Sequence, residues 1–235
     1  MEKVELAGVP ETMLQTLHAR AQYTLSHPQL LSDPQAVELV SRIDYDFTAA
    51  RSDQLMSFGT AARTLLFDDL VRDFIARHPG CTVVNVGCGL DTRFHRVDDG
   101  QVRWYDLDLP SVIELRERLL GRIERVQMIA ASAMDPGWPQ QVEATGEVLV
   151  IVEGLTMYLT VQDLRSLMGL IHDAFPGATA LVEVMTDPNA LSLPPEIRSG
   201  QVIGFATAMS KIVLNRGAGE VVSMATSNMR NIPRL

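Results

Sequence analysis

Cys81-Thr82-Val83-Val84-Asn85-Val86-Gly87-Cys88-Gly89-Leu90-Asp91-Thr92-Arg93 is the stretch that decides the fold. An apolar run over Cys81–Val86 ends abruptly at Gly87, the pattern of a buried strand meeting a tight turn. Gly87 permits a sharp turn and Gly89 lets a ligand approach the backbone. An ordinary strand-to-helix turn needs the same glycines, so the flanks must decide. Upstream, residues 60–77 place Leu66, Leu70, Phe74 and Ile75 at helical spacing, and Pro79-Gly80 ends that helix. Residues 11–50 read as short helices punctuated by His27-Pro28 and Asp33-Pro34. Downstream, strands are predicted over Val102–Leu107, Val126–Ala131, Val148–Glu153 and Ala178–Met185. Helices fall between them at Pro110–Leu120 and Thr160–Phe175, the second with Thr160 as N-cap and Pro176-Gly177 as its stop. Such alternation makes an α/β fold, a mostly parallel sheet flanked by helices. Ligands then bind just beyond the carboxyl ends of the strands.

The glycine turn fits a dinucleotide poorly. The third glycine of Gly-x-Gly-x-x-Gly would fall at Thr92, and a pyrophosphate needs that close approach to a helix N-terminus. Asp108, 21 residues after Gly87, ends the second strand, where a carboxylate can accept both hydroxyls of a ribose. The same residue is also placed to cap the helix that begins at Pro110.

The chain has 235 residues, 46% of them hydrophobic, which suits one α/β domain with a sizeable core. A net charge of -9 disfavours nucleic acid as the main partner. The charge is uneven: from Asp187 onward three acids and five basic residues give +2, so residues 1–186 carry -11. Cys81 and Cys88 form no disulfide framework and have no companions at metal-ligand spacing, so no metal is expected. The first residues lack a signal peptide's apolar run, and no stretch is long and apolar enough to span a membrane. The expectation is a cytoplasmic protein with no membrane partner.

Five ordered blocks resemble the leucine carboxyl methyltransferase family, most closely its bacterial branch of polyketide O-methyltransferases of the tetracenomycin type. They are Ala62-Arg63-Thr64 with Phe67-Asp68 and Val71-Arg72-Asp73-Phe74-Ile75; Gly87 to Arg93; Tyr105-Asp106-Leu107-Asp108-Leu109-Pro110-Ser111-Val112-Ile113; Ser132-Ala133-Met134-Asp135-Pro136-Gly137-Trp138; and Glu153-Gly154-Leu155-Thr156-Met157-Tyr158-Leu159-Thr160. Leu31 to Ala36 and Ile43 to Phe47 are similar to the family's N-terminal cap. The resemblance spans about residues 14–186. It implies the class I, Rossmann-like methyltransferase fold in a single domain: a helical cap over 1–58, a cofactor-binding core over 59–186, and a shortened or diverged C-terminal segment over 187–235.

The resemblance also implies roles. S-adenosylmethionine is the cofactor and S-adenosylhomocysteine the product. Arg63 is similar to the arginine that holds the methionine carboxylate, a task suited to a guanidinium; a surface arginine is the plainer alternative. Gly87, Cys88 and Gly89 would line the methionine portion, and Asp108 with Leu109 the ribose. Ser132 and Ala133 would frame the adenine; the leucine carboxyl branch usually has aspartate where Ser132 stands. Glu153, with Gly154, would face the amino group or sulfonium, unless it merely terminates a helix.

The implied reaction is displacement at the methyl carbon by an acceptor oxygen. A carboxylate is ionised at pH 7 and needs no base, whereas a phenol does. His18, His27, His78, His95 and His172 are scattered and none falls in a motif. That pattern favours a carboxylate acceptor; the resemblance implies a natural product, a shortened C-terminal segment would suit a peptide, and a phenol or hydroxyl of a polyketide is the alternative. Tyr158 and Tyr23 are the acceptor-side candidates, although Tyr158 also suits core packing, and Tyr45 and Phe47 belong to the cap. Residues 200–214 read as an amphipathic helix and Glu220–Thr226 as a strand, which does not clearly supply the antiparallel pair that closes a class I sheet. A homodimer is one way to complete such a segment. A nicotinamide-dependent oxidoreductase and a catalytically silent binding protein are the competing classes on the same fold.

Overall fold

The computed structural model describes residues 12–47 and 54–183 (side chains from residue 58 in the second stretch), together with backbone strands at Glu2–Lys3, Gln201–Phe205, Ile212–Arg216 and Glu220–Met224. In chain order the strands are β1 (Glu2–Lys3), β2 (Ile43–Asp44), β3 (Thr82–Val86), β4 (Arg103–Asp108), β5 (Val126–Ala130), β6 (Val148–Val152), β7 (Thr179–Glu183), β8 (Gln201–Phe205), β9 (Ile212–Arg216) and β10 (Glu220–Met224). The helices are α1 (Thr12–Ser26), α2 (Pro34–Arg42), α3 (Gln54–Arg77), α4 (Arg93–Val97), α5 (Pro110–Leu120) and α6 (Val161–Ala174).

β3 to β10 form one sheet in the order β10-β9-β8-β7-β6-β3-β4-β5. β3 pairs in parallel with both β4 and β6, so the strand order reverses at β3. That reversal opens a crevice at the carboxyl edge between β3, β4 and β6. β3 and β6 are buried along their whole length, as central parallel strands covered on both faces should be.

The period of two in the strands separates two cores. Val83, Trp104, Leu149, Ile151 and Leu181 pack with Phe67, Val71, Phe74 and Ile75 of α3. Their neighbours Val84, Tyr105, Val150, Val152 and Val182 pack with Leu167, Met168 and Ile171 of α6. A third cluster joins Met13, Leu14 and Leu17 of α1 and Leu39 of α2 to Leu90 and to Val112 and Leu115 of α5. This cluster sets the N-terminal helices over the carboxyl edge of the sheet.

The strands and helices expected between residues 81 and 183 are present, with ends shifted by one or two residues. Thr160 caps α6 in a reciprocal box with Asp163. Asp33 caps α2 through the Ala36 amide, with Pro34 as the first helical residue. α3 starts at Gln54, a turn and a half before the expected residue 60.

The C-terminal expectation needs correction. Instead of one helix over 200–214, β8 adds parallel to β7, and β9 and β10 follow antiparallel. The antiparallel closure is therefore present. Gly204 interrupts the helical pattern, and the free edge of β7 offers a ladder to Val202 and Ile203, both β-branched. Residues 184–200, Met185, Met209 and Met229, and most of the basic tail lie outside the described residues.

Candidate active site

A cavity of about 620 Å³ opens at the carboxyl ends of β3, β4 and β6 beneath α1, a volume usual for a small-molecule site. Arg63, Gly87, Cys88, Gly89, Asp108, Leu109, Ser132, Ala133, Glu153 and Gly154 all line it. Residues from four separate strand ends and from α3 are thus gathered at one place.

The glycine turn is shaped by backbone geometry. Gly87 and Gly89 have φ of 70° and 47°, in the left-handed region. A Cβ on Gly87 would lie 3.2 Å from Leu155 Cδ2, and one on Gly89 3.1 Å from Met13 Cβ. The amides of Gly87 and Cys88 donate to the Leu107 carbonyl at 2.8 and 3.1 Å. Arg116 of α5 donates to the carbonyls of Gly89 and Asp91, each at 2.8 Å, and pairs with Asp106. The turn is therefore held from behind, with its cavity face left to a ligand.

Asp108 receives the Gly89 amide on Oδ2 and the Leu109 amide on Oδ1, both at 2.7 Å. The N-cap of α5 is Leu109, which makes no side-chain cap, so Asp108 braces the glycine turn instead of capping the helix. Burial pushes its carboxyl above the ordinary aspartate value, against the pull of those two amides. On the next loop, Trp138 donates from its indole nitrogen to the Ala133 carbonyl at 3.1 Å, and Asp135 accepts the Gly137 amide at 2.8 Å. These bonds fix Ser132 and Ala133 at the cavity wall.

At the far end, Glu153 accepts from Arg63 Nε on Oε1 and from Arg93 on Oε2, each at 2.7 Å. Arg63 also donates from its NH1 nitrogen to both oxygens of Glu183 at 3.0 and 3.1 Å, which leaves NH2 outside these three bonds. Burial disfavours ionisation of Glu153, but the Arg93 and Arg63 guanidinium groups outweigh it and hold the carboxyl below its ordinary value. For Glu183 burial prevails and the carboxyl is raised. Arg63 is thus no surface arginine; two carboxylates hold it at the cavity wall.

Tyr158 lines the cavity mouth, 40% exposed, and donates its hydroxyl to Thr12 Oγ1 at 2.9 Å. Tyr23 is not among the lining residues; it stacks on His27 at 4.7 Å. Phe47 stacks on His18 and meets Tyr45 edge-on, inside the core of the cap. These three aromatics are occupied by cap packing, and the cavity wall that α1 contributes is Thr12, Met13, Gln15, Thr16 and Arg20.

The ionic lining tests which cofactor fits. Arg20 and Arg63 face Asp91, Asp108 and Glu153, a balance of two positive against three negative charges. S-adenosylmethionine carries a sulfonium, an ammonium and a carboxylate, one net positive charge, and so complements that wall. A dinucleotide would bring a doubly negative pyrophosphate against the same carboxylates, with no third glycine to receive it. The residues present fit the first group and oppose the second.

Sequence reasoning missed the buried charges in and behind the wall. Arg20, Asp68, Asp91, Arg96 and Glu183 were given no role, and Arg93 appeared only as a letter of the turn. Apart from local pairs such as those of Asp91 with Arg93 and Arg96, their partners lie 13 to 120 residues away in the chain, so periodicity could not pair them. The one available signal was the concentration of Arg and Asp at 91–96 and of Asp68 beside the apolar face of α3.

Residues 13–172 match the leucine carboxyl methyltransferase family. The tetracenomycin polyketide synthesis O-methyltransferase TcmP of Streptomyces glaucescens is 36% identical over 189 residues, 78% of this chain and 68% of that protein. An S-adenosyl-L-methionine-dependent methyltransferase, dpfgK, of Gibberella zeae is 35% identical over 209 residues, 81% of this chain and 70% of that protein. An O-methyltransferase family protein from Burkholderia thailandensis, known from its structure, is 19% identical and covers 80% of this chain and 58% of its own, with a TM-score of 0.40. Among the described residues no helix is long and apolar enough to cross a membrane. The matched residues and the two relatives of 36% and 35% identity place the chain in the leucine carboxyl methyltransferase family, as an S-adenosylmethionine-dependent O-methyltransferase.

Proposed function

We propose that this cavity binds S-adenosylmethionine and that the acceptor is a carboxylate on a natural product or peptide, converted to its methyl ester. The observation that carries the cofactor half is the gathering of Arg63, the Gly87–Gly89 turn, Asp108, Ser132, Ala133 and Glu153 around one cavity. Bound there, S-adenosylmethionine supplies a methyl group on a positively charged sulfur. Asp108, braced by two backbone amides, presents its remaining lone pairs to the ribose hydroxyls. Arg63 offers its NH2 nitrogen to the methionine carboxylate, and Glu153 faces the ammonium. Leu109 lies beside the ribose, and Ser132 and Ala133 flank the base. The cap residues Thr12, Met13 and Thr16 and the hydroxyl of Tyr158 border the acceptor's entry and keep donor and acceptor aligned, which is where most of the rate gain of such a transfer arises.

The acceptor half rests on the titratable groups of the wall. The described lining contains no histidine. Asp91 is held ionised by Arg93 and Arg96 against its burial, and burial pushes the Cys88 thiol well up. Asp108 and Glu153 are committed to backbone and guanidinium partners. A carboxylate acceptor, ionised at pH 7, needs no base from this wall, whereas a phenol with a pKa near 10 does. Incubation with methyl-labelled cofactor and a panel of carboxylic acids and phenols tests this. Label that mild base releases is expected; label that survives base is an ether and overturns the carboxylate reading.

A further inference from the structure

We infer that Arg93, which does not reach the cavity, is the positioning residue that aims Glu153 at the cofactor's ammonium, through a buried relay of alternating charges anchored in the N-terminal cap. The inference rests on the cofactor site proposed above. Arg93 is 2% exposed and is absent from the cavity wall. Its Nε donates to Asp68 at 2.8 Å, NH1 to Asp91 at 2.9 Å and NH2 to Glu153 at 2.7 Å. Its guanidinium also lies 5.5 Å from the centre of the Phe67 ring. Each edge of the planar fork is therefore assigned, and the orientation of Glu153 follows from it.

The relay continues into the N-terminal cap, where its last member, Arg20, again borders the cavity. Asp68, itself buried, accepts from Arg96 at 2.6 and 3.0 Å. Arg96 reaches Asp33 at 2.8 Å, and Asp33 also accepts from Arg20 of α1 at 3.1 Å and from Thr92 at 2.6 Å. Asp33 caps α2 at the same time, so the far end of the relay is fixed to the cap. With Arg63 and Glu183 included, Asp33, Asp68, Asp91, Glu153 and Glu183 alternate with Arg20, Arg63, Arg93 and Arg96, and Arg72 reaches Asp68 from the surface at 3.7 Å. Glu153 joins Arg93 and faces the cavity beside Arg63, where it can meet the ammonium; Asp91, also bound to Arg93, lines the cavity by the glycine turn.

Two ligands separate positioning from mere support. S-adenosylhomocysteine carries the ammonium and carboxylate; 5′-methylthioadenosine has the same ribose and adenine without them. Titration calorimetry of the wild type with both comes first. Wild-type protein that binds neither overturns the site reading, and the inference with it. If the wild type binds, Arg93→Lys keeps the charge but not the fork, and S-adenosylhomocysteine is expected to bind about tenfold more weakly. Affinity for 5′-methylthioadenosine should stay within about twofold of wild type. Asp68→Asn, which leaves Arg93 in place but loosens its hold, should give the same selectivity in smaller measure, and it decides the matter if Arg93→Lys does not fold. Equal weakening of both ligands, or of neither, overturns the inference while leaving the site reading intact.

Discussion

Replacing Asp108 by Asn separates binding from stability, because opposing effects act on the free chain and only one acts in the complex. In the free chain Asp108 accepts two amides at 2.7 Å, and Asn can keep only one of them. Loss of a charge-assisted hydrogen bond costs about 1.5–3 kcal/mol. Against this, the raised pKa of Asp108 means that its ionised form is disfavoured in the fold, and the neutral amide relieves that penalty. The stability change should therefore stay within about 1 kcal/mol, a Tm shift under about 4 °C. In the complex the carboxylate meets two ribose hydroxyls, and Asn supplies at most one weaker, neutral acceptor. The expected loss is about 2–3 kcal/mol, roughly 30- to 150-fold in the Kd for S-adenosylhomocysteine. Titration calorimetry and thermal unfolding read the two quantities. Acidification adds a second signature. Since the folded pKa lies above an ordinary aspartate's, the wild type should begin to lose affinity at a pH above about 3.9, and the variant should lack that component. A Kd within about twofold of wild type refutes the ribose role. A collapsed Tm refutes the balance of effects.

Gly89→Ala forces a Cβ into a backbone with φ of 47° and to within 3.1 Å of Met13 Cβ; about 1–3 kcal/mol of stability should be lost, seen as a lower Tm. Thr160→Ala removes the capping box of α6 at a residue that does not line the cavity, and should cost about 0.5–2 kcal/mol in thermal unfolding with no change in the Kd for S-adenosylhomocysteine. Tyr158→Phe loses the bond to the Thr12 hydroxyl at a 40% exposed position, so stability should fall by less than about 1 kcal/mol; steady-state assays should show a raised KM for the acceptor with an unchanged cofactor Kd. Acid unfolding should show the depressed carboxylates Asp33 and Asp91. Their contribution is complete above about pH 4 and is lost as pH falls through their lower folded values, whereas Asp108 and Glu183, with raised values, act in the opposite sense.

What could be read in advance was whatever depends on local pattern. The run Thr82–Val86, closed by Gly87, announces a buried strand and a left-handed turn, and both are present. Thr160 and Asp163 announce a helix start through their spacing alone. The ten residues expected to hold the cofactor line one cavity because each follows a strand or belongs to a quoted block, and the strand order brings them together. Contacts set by tertiary structure were not legible. Nothing local says that Arg63 will be shared by Glu153 and Glu183, 90 and 120 residues on. Tyr23 carried an aromatic ring suited to an acceptor site, yet its position on α1 turns it toward His27. Over 200–214, apolar residues satisfy the helical period as well as the strand period, and pairing with the edge of β7 decides for strands.

A crystal structure with S-adenosylhomocysteine bound measures the central claim most directly. The account predicts the ribose hydroxyls on Asp108, the adenine beside Ser132 and Ala133, the carboxylate on Arg63 and the ammonium on Glu153, with the Gly87–Gly89 turn unmoved. A ligand bound elsewhere, or bound in this cavity with its ribose away from Asp108 and its ammonium away from Glu153, would contradict it.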